Sequence, residues 1–64
     1  MPRSGQATRE RILAAASTLF YRDGIRGVSV DAVAEKAGVT KRTLYYHIKT
    51  KDELVAAYLA ARDQ

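Results

Sequence analysis

The chain lacks several residues on which enzymes and small stabilised domains depend. It contains no cysteine, one proline and one histidine in 64 residues. Without cysteine, neither a disulfide nor a thiolate metal site can stabilise the fold, so an apolar core must do so. The single histidine, His47, has no carboxylate three or four residues away. We therefore expect no catalytic site, no metal and no cofactor.

Long apolar runs are also missing. No stretch approaches the roughly 18 apolar residues of a membrane span, and the N-terminus lacks the apolar segment of a signal peptide. We therefore expect a cytoplasmic protein that does not enter a membrane. A chain this short buries only about 60% of its unfolded surface, so residues 1–64 are expected to form a single domain.

The net charge of +4 is concentrated in one segment. Residues 39–51 contain four basic side chains and no acidic one, whereas the other seven basic residues balance the seven acidic ones. A basic cluster on an otherwise neutral domain favours a polyanion as partner, either nucleic acid or an anionic membrane surface. A merely hydrated charged face is the alternative. The four basic residues are Lys41, Arg42, Lys49 and Lys51.

The first segment with a clear periodicity predicts a helix. Its apolar residues recur at helical spacing and are Ile12, Ala16, Leu19 and Phe20. This helix is predicted to end near Asp23, because Gly24 can adopt the left-handed conformation of a helix stop. Its start is ambiguous, since Ser4 and Thr8 are both possible caps. Residues 1–6 are predicted to be a flexible arm.

Two short helices with a tight turn between them are predicted next. Ser29 is a candidate N-cap for helix 2, which Gly38 ends about two turns later. Thr40 is the candidate N-cap of helix 3, predicted to span residues 41–48. A capped helix, a glycine turn and a second capped helix are the elements of a helix-turn-helix. The motif is predicted to occupy residues 29–51.

A fourth helix is predicted after Thr50, because Thr50 and Glu53 have the spacing of a capping box. A second apolar stripe, formed by Val55 and Leu59, has no partner in the chain. We therefore expect helix 4 to be truncated and a further helical domain to be absent, with exposed apolar side chains as the alternative. The predicted fold class is all-α, a small bundle of three helices plus the start of a fourth. The buried stripe of helix 4 is predicted to be Leu54, Ala57, Tyr58 and Ala61.

Helix 3 has an outer face suited to DNA. Leu44 and Ile48 share one side and are predicted to pack in the core, while Arg42 and Tyr46 point away from it. A major groove about 12 Å wide admits one α-helix, whose first turn approaches the base edges. We therefore expect the first turn, Lys41, Arg42 and Thr43, to contact bases.

Phosphate contacts are expected around that face. Tyr45, Tyr46 and His47 follow the first turn, where their polar ends can reach phosphates. Packing of one tyrosine ring in the core is the alternative. Lys51 begins helix 4 and Ser29 caps helix 2, where unpaired backbone N–H groups favour an anion. We favour hydrated surface charges as the interpretation of Arg3, Arg9 and Arg11. A DNA contact from the arm is the alternative.

Four segments in a fixed order resemble the N-terminal DNA-binding domain of TetR/AcrR transcriptional regulators. They are Gly24, residues 28–39 (VSVDAVAEKAGV), residues 43–47 (TLYYH) and residues 51–54 (KDEL). The resemblance implies a repressor that binds double-stranded operator DNA, with residues 41–48 in the major groove. It implies base contacts from Lys41, Arg42, Thr43 and Tyr46, and phosphate contacts from Ser29, Tyr45, Tyr46, His47 and Lys51.

The resemblance also implies partners. The full-length parent is expected to be a homodimer on a palindromic operator. Dimerisation and the binding of a small-molecule effector are expected in a C-terminal domain absent from this chain, which alone is expected to be monomeric.

Two residues depart from the family pattern. Ile48 stands where phenylalanine is commoner, and Asp31 stands where some members have a basic DNA contact. No role is therefore assigned to Asp31. Another helix-turn-helix family is the second choice among DNA binders. A basic helical module for acidic partners or a membrane surface is the alternative from another class, but it would need a longer helix with a wide apolar face.

Overall fold

A computed structural model of the chain describes residues 4 to 62. The regular structure of this part is helical throughout, which confirms the all-α fold class. The helices are α1 (Ser4–Asp23), α2 (Val30–Ala37), α3 (Lys41–His47) and α4 (Lys51–Arg62). The predicted helix-turn-helix is formed by α2 and α3.

The start of α1 differs from the sequence prediction. The flexible arm predicted for residues 1–6 is wrong for residues 4–6, which form the first turn of the helix. The side-chain amide of Gln6 donates a hydrogen bond of 3.3 Å to the carboxylate of Glu10, one turn later on the same face. Such a pair supports a helix in its first turns. Residues 1–3, with the possible DNA contact of Arg3, lie outside the described residues.

Two glycines end the first two helices, as predicted. Gly24 and Gly38 have φ values of 83° and 77°, which are left-handed conformations that other residues adopt at a cost. The N–H of Gly24 donates to the carbonyl of Phe20 at 2.9 Å, and that of Gly38 to the carbonyl of Glu35 at 3.1 Å. Both hydrogen bonds satisfy carbonyls that a helix C-terminus leaves without an internal partner.

One apolar core joins the four helices. Between residues 5 and 62, no polar or charged side chain is buried. The ring of Phe20 meets the ring of Tyr58 edge to face, with centroids 5.3 Å apart, so α4 is held against the end of α1. The largest fully buried side chains are Ile12, Val33, Leu44, Ile48 and Leu54.

The apolar face of α4 is shorter than predicted. Leu54 and Tyr58 are buried, but Ala57 is only half-buried and Ala61 is exposed. The two residues of the second apolar stripe lie in different environments. Val55 packs against the core, whereas Leu59 is 46% exposed.

Candidate nucleic-acid interface

Both helices of the helix-turn-helix are capped at their first turn by the predicted side chains. The Ser29 hydroxyl accepts a hydrogen bond from the backbone N–H of Ala32 at 3.1 Å, which starts α2. The Thr40 hydroxyl accepts one from the backbone N–H of Thr43 at 3.1 Å, which starts α3. Each cap satisfies an N–H that would otherwise lack an acceptor and fixes where its helix begins.

The inner side of α3 anchors it in the core, as predicted. Leu44 and Ile48 are 1% and 0% exposed. The helix ends at His47, one residue before the predicted end, because Ile48 has extended backbone with φ −125° and ψ 111°. That conformation turns the chain towards α4 while the Ile48 side chain stays buried.

The outer side of α3 is open to solvent. Lys41 and Arg42 are exposed, and the residues Tyr45 and Tyr46 are 43% and 75% exposed. Core packing of a tyrosine ring, the alternative considered from the sequence, is therefore wrong for both. Thr43 is half-buried and its hydroxyl oxygen accepts a hydrogen bond of 3.1 Å from the Thr40 hydroxyl, which leaves its own proton available to a DNA acceptor.

His47, the last residue of α3, lies beside the beginning of α1. Its ring is half-buried and meets the Tyr46 ring edge to face, with centroids 5.0 Å apart. A Cβ atom added to Gly5 would be 3.9 Å from Cε1 of His47, so the imidazole lies beside the first turn of α1. Its predicted phosphate contact is therefore at the edge of the exposed face rather than at its centre.

Lys49 organises the end of α3, a role that the sequence analysis missed. Its ammonium donates hydrogen bonds to the carbonyls of Tyr46 at 3.0 Å and Tyr45 at 3.4 Å. It also lies 5.7 Å from the centroid of the Tyr46 ring. A cation is favourable at a helix C-terminus, where carbonyls are unpaired and the helix dipole is negative. The position of Lys49, two residues beyond α3, was the signal in the sequence.

The turn into α4 is fixed by a displaced capping box. The Thr50 hydroxyl accepts a hydrogen bond from the backbone N–H of Glu53 at 3.1 Å, as predicted. The Glu53 carboxylate, however, accepts from the N–H of Lys49 at 3.0 Å and not from that of Thr50. Lys51 is consequently the first residue of α4, where the sequence predicted it, and it is half-buried.

An ion pair connects α3 with α2. The ammonium nitrogen of Lys41 lies 3.0 Å from the Asp31 carboxylate, and the two side chains are 58% and 71% exposed. The hydrogen bond to Asp31, and then the attraction between the two charges, raises the pKa of Lys41 above its ordinary value. The sequence analysis gave Asp31 no role, because the residue departs from the family pattern of a basic DNA contact. Nothing in its spacing showed that it would meet Lys41.

Arg11 contacts the backbone of α2. Its guanidinium donates a hydrogen bond of 2.7 Å to the carbonyl of Ala37, the last residue of that helix. The sequence analysis favoured a hydrated charge at Arg11, with a DNA contact from the arm as the alternative, and it did not foresee this hydrogen bond. The residue stays exposed, and its side chain ties α1 to the helix-turn-helix.

Two further features bear on what this part of the chain can bind. Within residues 4–62, no helix has the length and apolar character required to cross a membrane. In the same residues, no group of three or more metal-binding side chains comes together.

Comparison with known proteins agrees with the helix-turn-helix seen in the structure. A model of the bacterial regulatory proteins of the tetR family matches residues 12–58. The chain is 40% identical over 57 residues to the HTH-type transcriptional regulator SrpR of Pseudomonas putida. This match covers 89% of the chain and 27% of SrpR. It is 43% identical over 54 residues to TtgR, a regulator of the same type that also comes from Pseudomonas putida, covering 84% of this chain and 26% of TtgR.

A third relative extends the likeness beyond Pseudomonas. The chain is 41% identical over 49 residues to the HTH-type transcriptional regulator AcrR of Shigella flexneri, covering 77% of this chain and 23% of AcrR. The chain thus spans about a quarter of the length of these three curated relatives. No solved structure matches it significantly.

Proposed function

Because this chain belongs to the tetR family of bacterial regulatory proteins, we propose that it reads the operator DNA of a transcriptional repressor. It is a DNA-binding regulatory domain whose helix-turn-helix consists of α2 and α3. The observation that carries the proposal is the division of α3 into two sides. Leu44 is buried on one side, while Arg42 and Tyr46 are exposed on the other. The exposed side enters the major groove.

Base contacts come from the exposed side of α3. Lys41 and Arg42 stand in its first turn and can donate to O6 and N7 of guanine. The Thr43 hydroxyl can donate to a base acceptor, and its methyl group suits the methyl of thymine. Tyr46, the most exposed aromatic side chain of α3, extends the contact along the groove.

Phosphate contacts hold the helix in register on the duplex. The phenolic groups of Tyr45 and Tyr46 and the imidazole of His47 reach the groove wall. Ser29 and Lys51 stand at the starts of α2 and α4, where unpaired N–H groups and the helix dipole favour a phosphate. The Ser29 hydroxyl oxygen already caps α2, so its hydroxyl proton and the neighbouring N–H groups are what it offers.

The proposal also covers the full-length regulator. The parent protein is a cytoplasmic homodimer on a palindromic operator, and a small-molecule effector binds outside this chain. The chain spans about a quarter of the length of its three relatives, and the proposal for the whole regulator rests on them. The chain alone is expected to sediment as a monomer without DNA. A stable dimer would contradict that part of the proposal.

The alternative of a basic module for acidic partners or membranes is not favoured. The relatives are named as transcriptional regulators, and the match to them includes the helix-turn-helix. The apolar side of α3 is used by the core, which leaves no wide apolar face on that helix to insert into lipid.

The decisive experiment is a selection of bound duplexes from a random pool by this chain. We expect enrichment of one short sequence, because side chains in the first turn of α3 discriminate between base edges. Enrichment should persist when salt is raised, whereas binding to the unselected pool should fall. Capture of DNA without any enriched sequence would contradict operator reading.

A further inference from the structure

The side chain of Lys49 is held by α3 itself. Its ammonium donates hydrogen bonds to the carbonyls of Tyr46 at 3.0 Å and Tyr45 at 3.4 Å, and it lies over the Tyr46 ring at 5.7 Å from the centroid. These carbonyls belong to the last turn of α3, where they lack a partner within the helix and the helix dipole favours a cation. The charge of Lys49 is therefore directed at the protein's own backbone.

The backbone of Lys49 is fixed by α4. Its N–H donates a hydrogen bond of 3.0 Å to the carboxylate of Glu53, which lies in the first turn of α4. Ile48, directly before Lys49 in the chain, is fully buried. The side chain of Lys49 thus starts from a defined point between α3 and α4, and its ammonium returns to the end of α3.

Tyr46 is the side chain that this arrangement restrains. The residue is 75% exposed, yet its ring has two neighbours. One is the Lys49 ammonium, and the other is the His47 ring, which meets it edge to face with centroids 5.0 Å apart. A cation over an aromatic ring is attracted to the negative face of the ring. An exposed tyrosine without such neighbours exchanges between the two χ1 rotamers that a helix allows.

We propose that Lys49 is a positioning residue that holds the Tyr46 ring in the orientation in which it meets DNA. The inference rests on the proposed function, in which Tyr46 contacts the operator. Lys49 keeps its contacts in the complex, because the carbonyls and the ring that it touches belong to α3. It acts on the chain before binding, where it raises the population of the binding-competent rotamer of Tyr46. The apparent affinity for DNA is proportional to that population.

The first test is the affinity of Lys49→Met for the selected operator. Methionine removes the ammonium but keeps an unbranched side chain and the backbone N–H that Glu53 accepts. Operator binding should weaken about twofold to fivefold, because the Tyr46 ring must then be ordered on binding. An unchanged affinity would overturn the proposal.

A double-mutant cycle separates positioning from a direct phosphate contact of Lys49. In a Tyr46→Ala background the effect of Lys49→Met on operator affinity should shrink, because no ring remains to be held. The loss of one positive charge acts in both backgrounds and cancels in the comparison. An undiminished effect of Lys49→Met would overturn the proposal.

Lys51→Met is the matched control for the cycle. It makes the same substitution two residues away, at a lysine that has no contact with the Tyr46 ring among the described residues. Its effect on operator affinity should be the same with and without Tyr46→Ala. A coupling as large for Lys51 as for Lys49 would also overturn the proposal, because it would come from charge alone.

Nuclear magnetic resonance of the chain without DNA gives a readout that a loss of stability does not mimic. Three-bond couplings should report one χ1 rotamer for Tyr46 in the unaltered chain and an average of two in Lys49→Met. Tyr21, which is 82% exposed on α1, is the control and should be unaffected by the substitution. A Tyr46 side chain that already averages in the unaltered chain would overturn the proposal.

These readouts separate the inference from the function on which it rests. If the unaltered chain selects an operator and its Tyr46 side chain averages between rotamers, only the role of Lys49 is overturned. If the unaltered chain selects no sequence, the proposed function is overturned and the inference falls with it. Because Lys49 is exposed, Lys49→Met is expected to keep the helical circular dichroism of the unaltered chain.

Discussion

The guanidinium of Arg11 and the carbonyl of Ala37 form a hydrogen bond of 2.7 Å between residues 26 positions apart in the chain. The contact joins the middle of α1 to the C-terminus of α2, where a positive charge is favoured by the helix dipole. Among the described residues, it is the one side-chain hydrogen bond that links α1 to another helix. It thus holds α2, the first helix of the helix-turn-helix, against α1.

Replacing Arg11 should lower stability with little direct effect on DNA binding. Arg11→Ala leaves the Ala37 carbonyl without its charged donor, and the free energy of unfolding should fall by about 1 to 2 kcal/mol. Denaturation in urea measures the change. Arg9→Ala, an exposed arginine on the same helix, is the control and should change stability by less than about 0.5 kcal/mol. Equal effects of the two changes would contradict the role given to Arg11.

The two left-handed glycines should respond differently to alanine. Gly24→Ala has open space around the added Cβ, so it should cost only the left-handed backbone, about 1 kcal/mol. At Gly38 the added Cβ would lie 2.9 Å from Nη2 of Arg11, so Gly38→Ala should also displace that side chain. In an Arg11→Ala background the two glycine changes should cost the same. A persistent difference in urea denaturation would show that Arg11 is not its cause.

Lys51→Ala should weaken binding to all duplexes to a similar extent. Removing one phosphate interaction at the start of α4 should lower the slope of log affinity against log salt by about 0.9. Titrations of operator and random duplexes at several salt concentrations measure it. Lys36→Ala, which removes a charge from the end of α2, is the control. A weakening confined to the operator would mean that Lys51 reads sequence.

Arg42→Ala should relax sequence preference. Removing a bidentate interaction with guanine should cost about 1 to 3 kcal/mol on the operator and much less on random DNA. A selection repeated with the variant should lose preference at one or two neighbouring base pairs while the rest of the sequence remains. Arg42 is exposed, so its removal should leave the fold intact. An unchanged selected sequence would exclude Arg42 as a base contact.

Local chemistry explains why the helix boundaries of the motif were predictable. Ser29, Thr40 and Thr50 each cap the helix that directly follows, and Gly38 ends the one before it, so every signal acts within four residues. The start of α1 was ambiguous, because local signals there pointed to more than one position. Two candidate caps were available, and the pair that supports the first turn, Gln6 with Glu10, gave no signal in the apolar pattern.

Contacts between helices were less predictable, because sequence spacing does not show which long side chains meet. Asp31 and Lys41 meet across the turn, and Arg11 reaches a carbonyl of a different helix. The outer face of α3 was predictable, since helical periodicity alone separates it from Leu44. The contacts of that face with DNA remain predictions, because they depend on a partner that the chain does not contain.

The core, which is built of aliphatic and aromatic side chains, has a consequence for how this domain can diverge. Because no buried polar pair fixes the packing between residues 5 and 62, aliphatic exchanges of similar volume should each cost less than about 1.5 kcal/mol. Caps and left-handed glycines allow far fewer replacements. We therefore expect aliphatic exchanges of similar volume in the interior to be tolerated more readily than changes at the helix ends that orient α3.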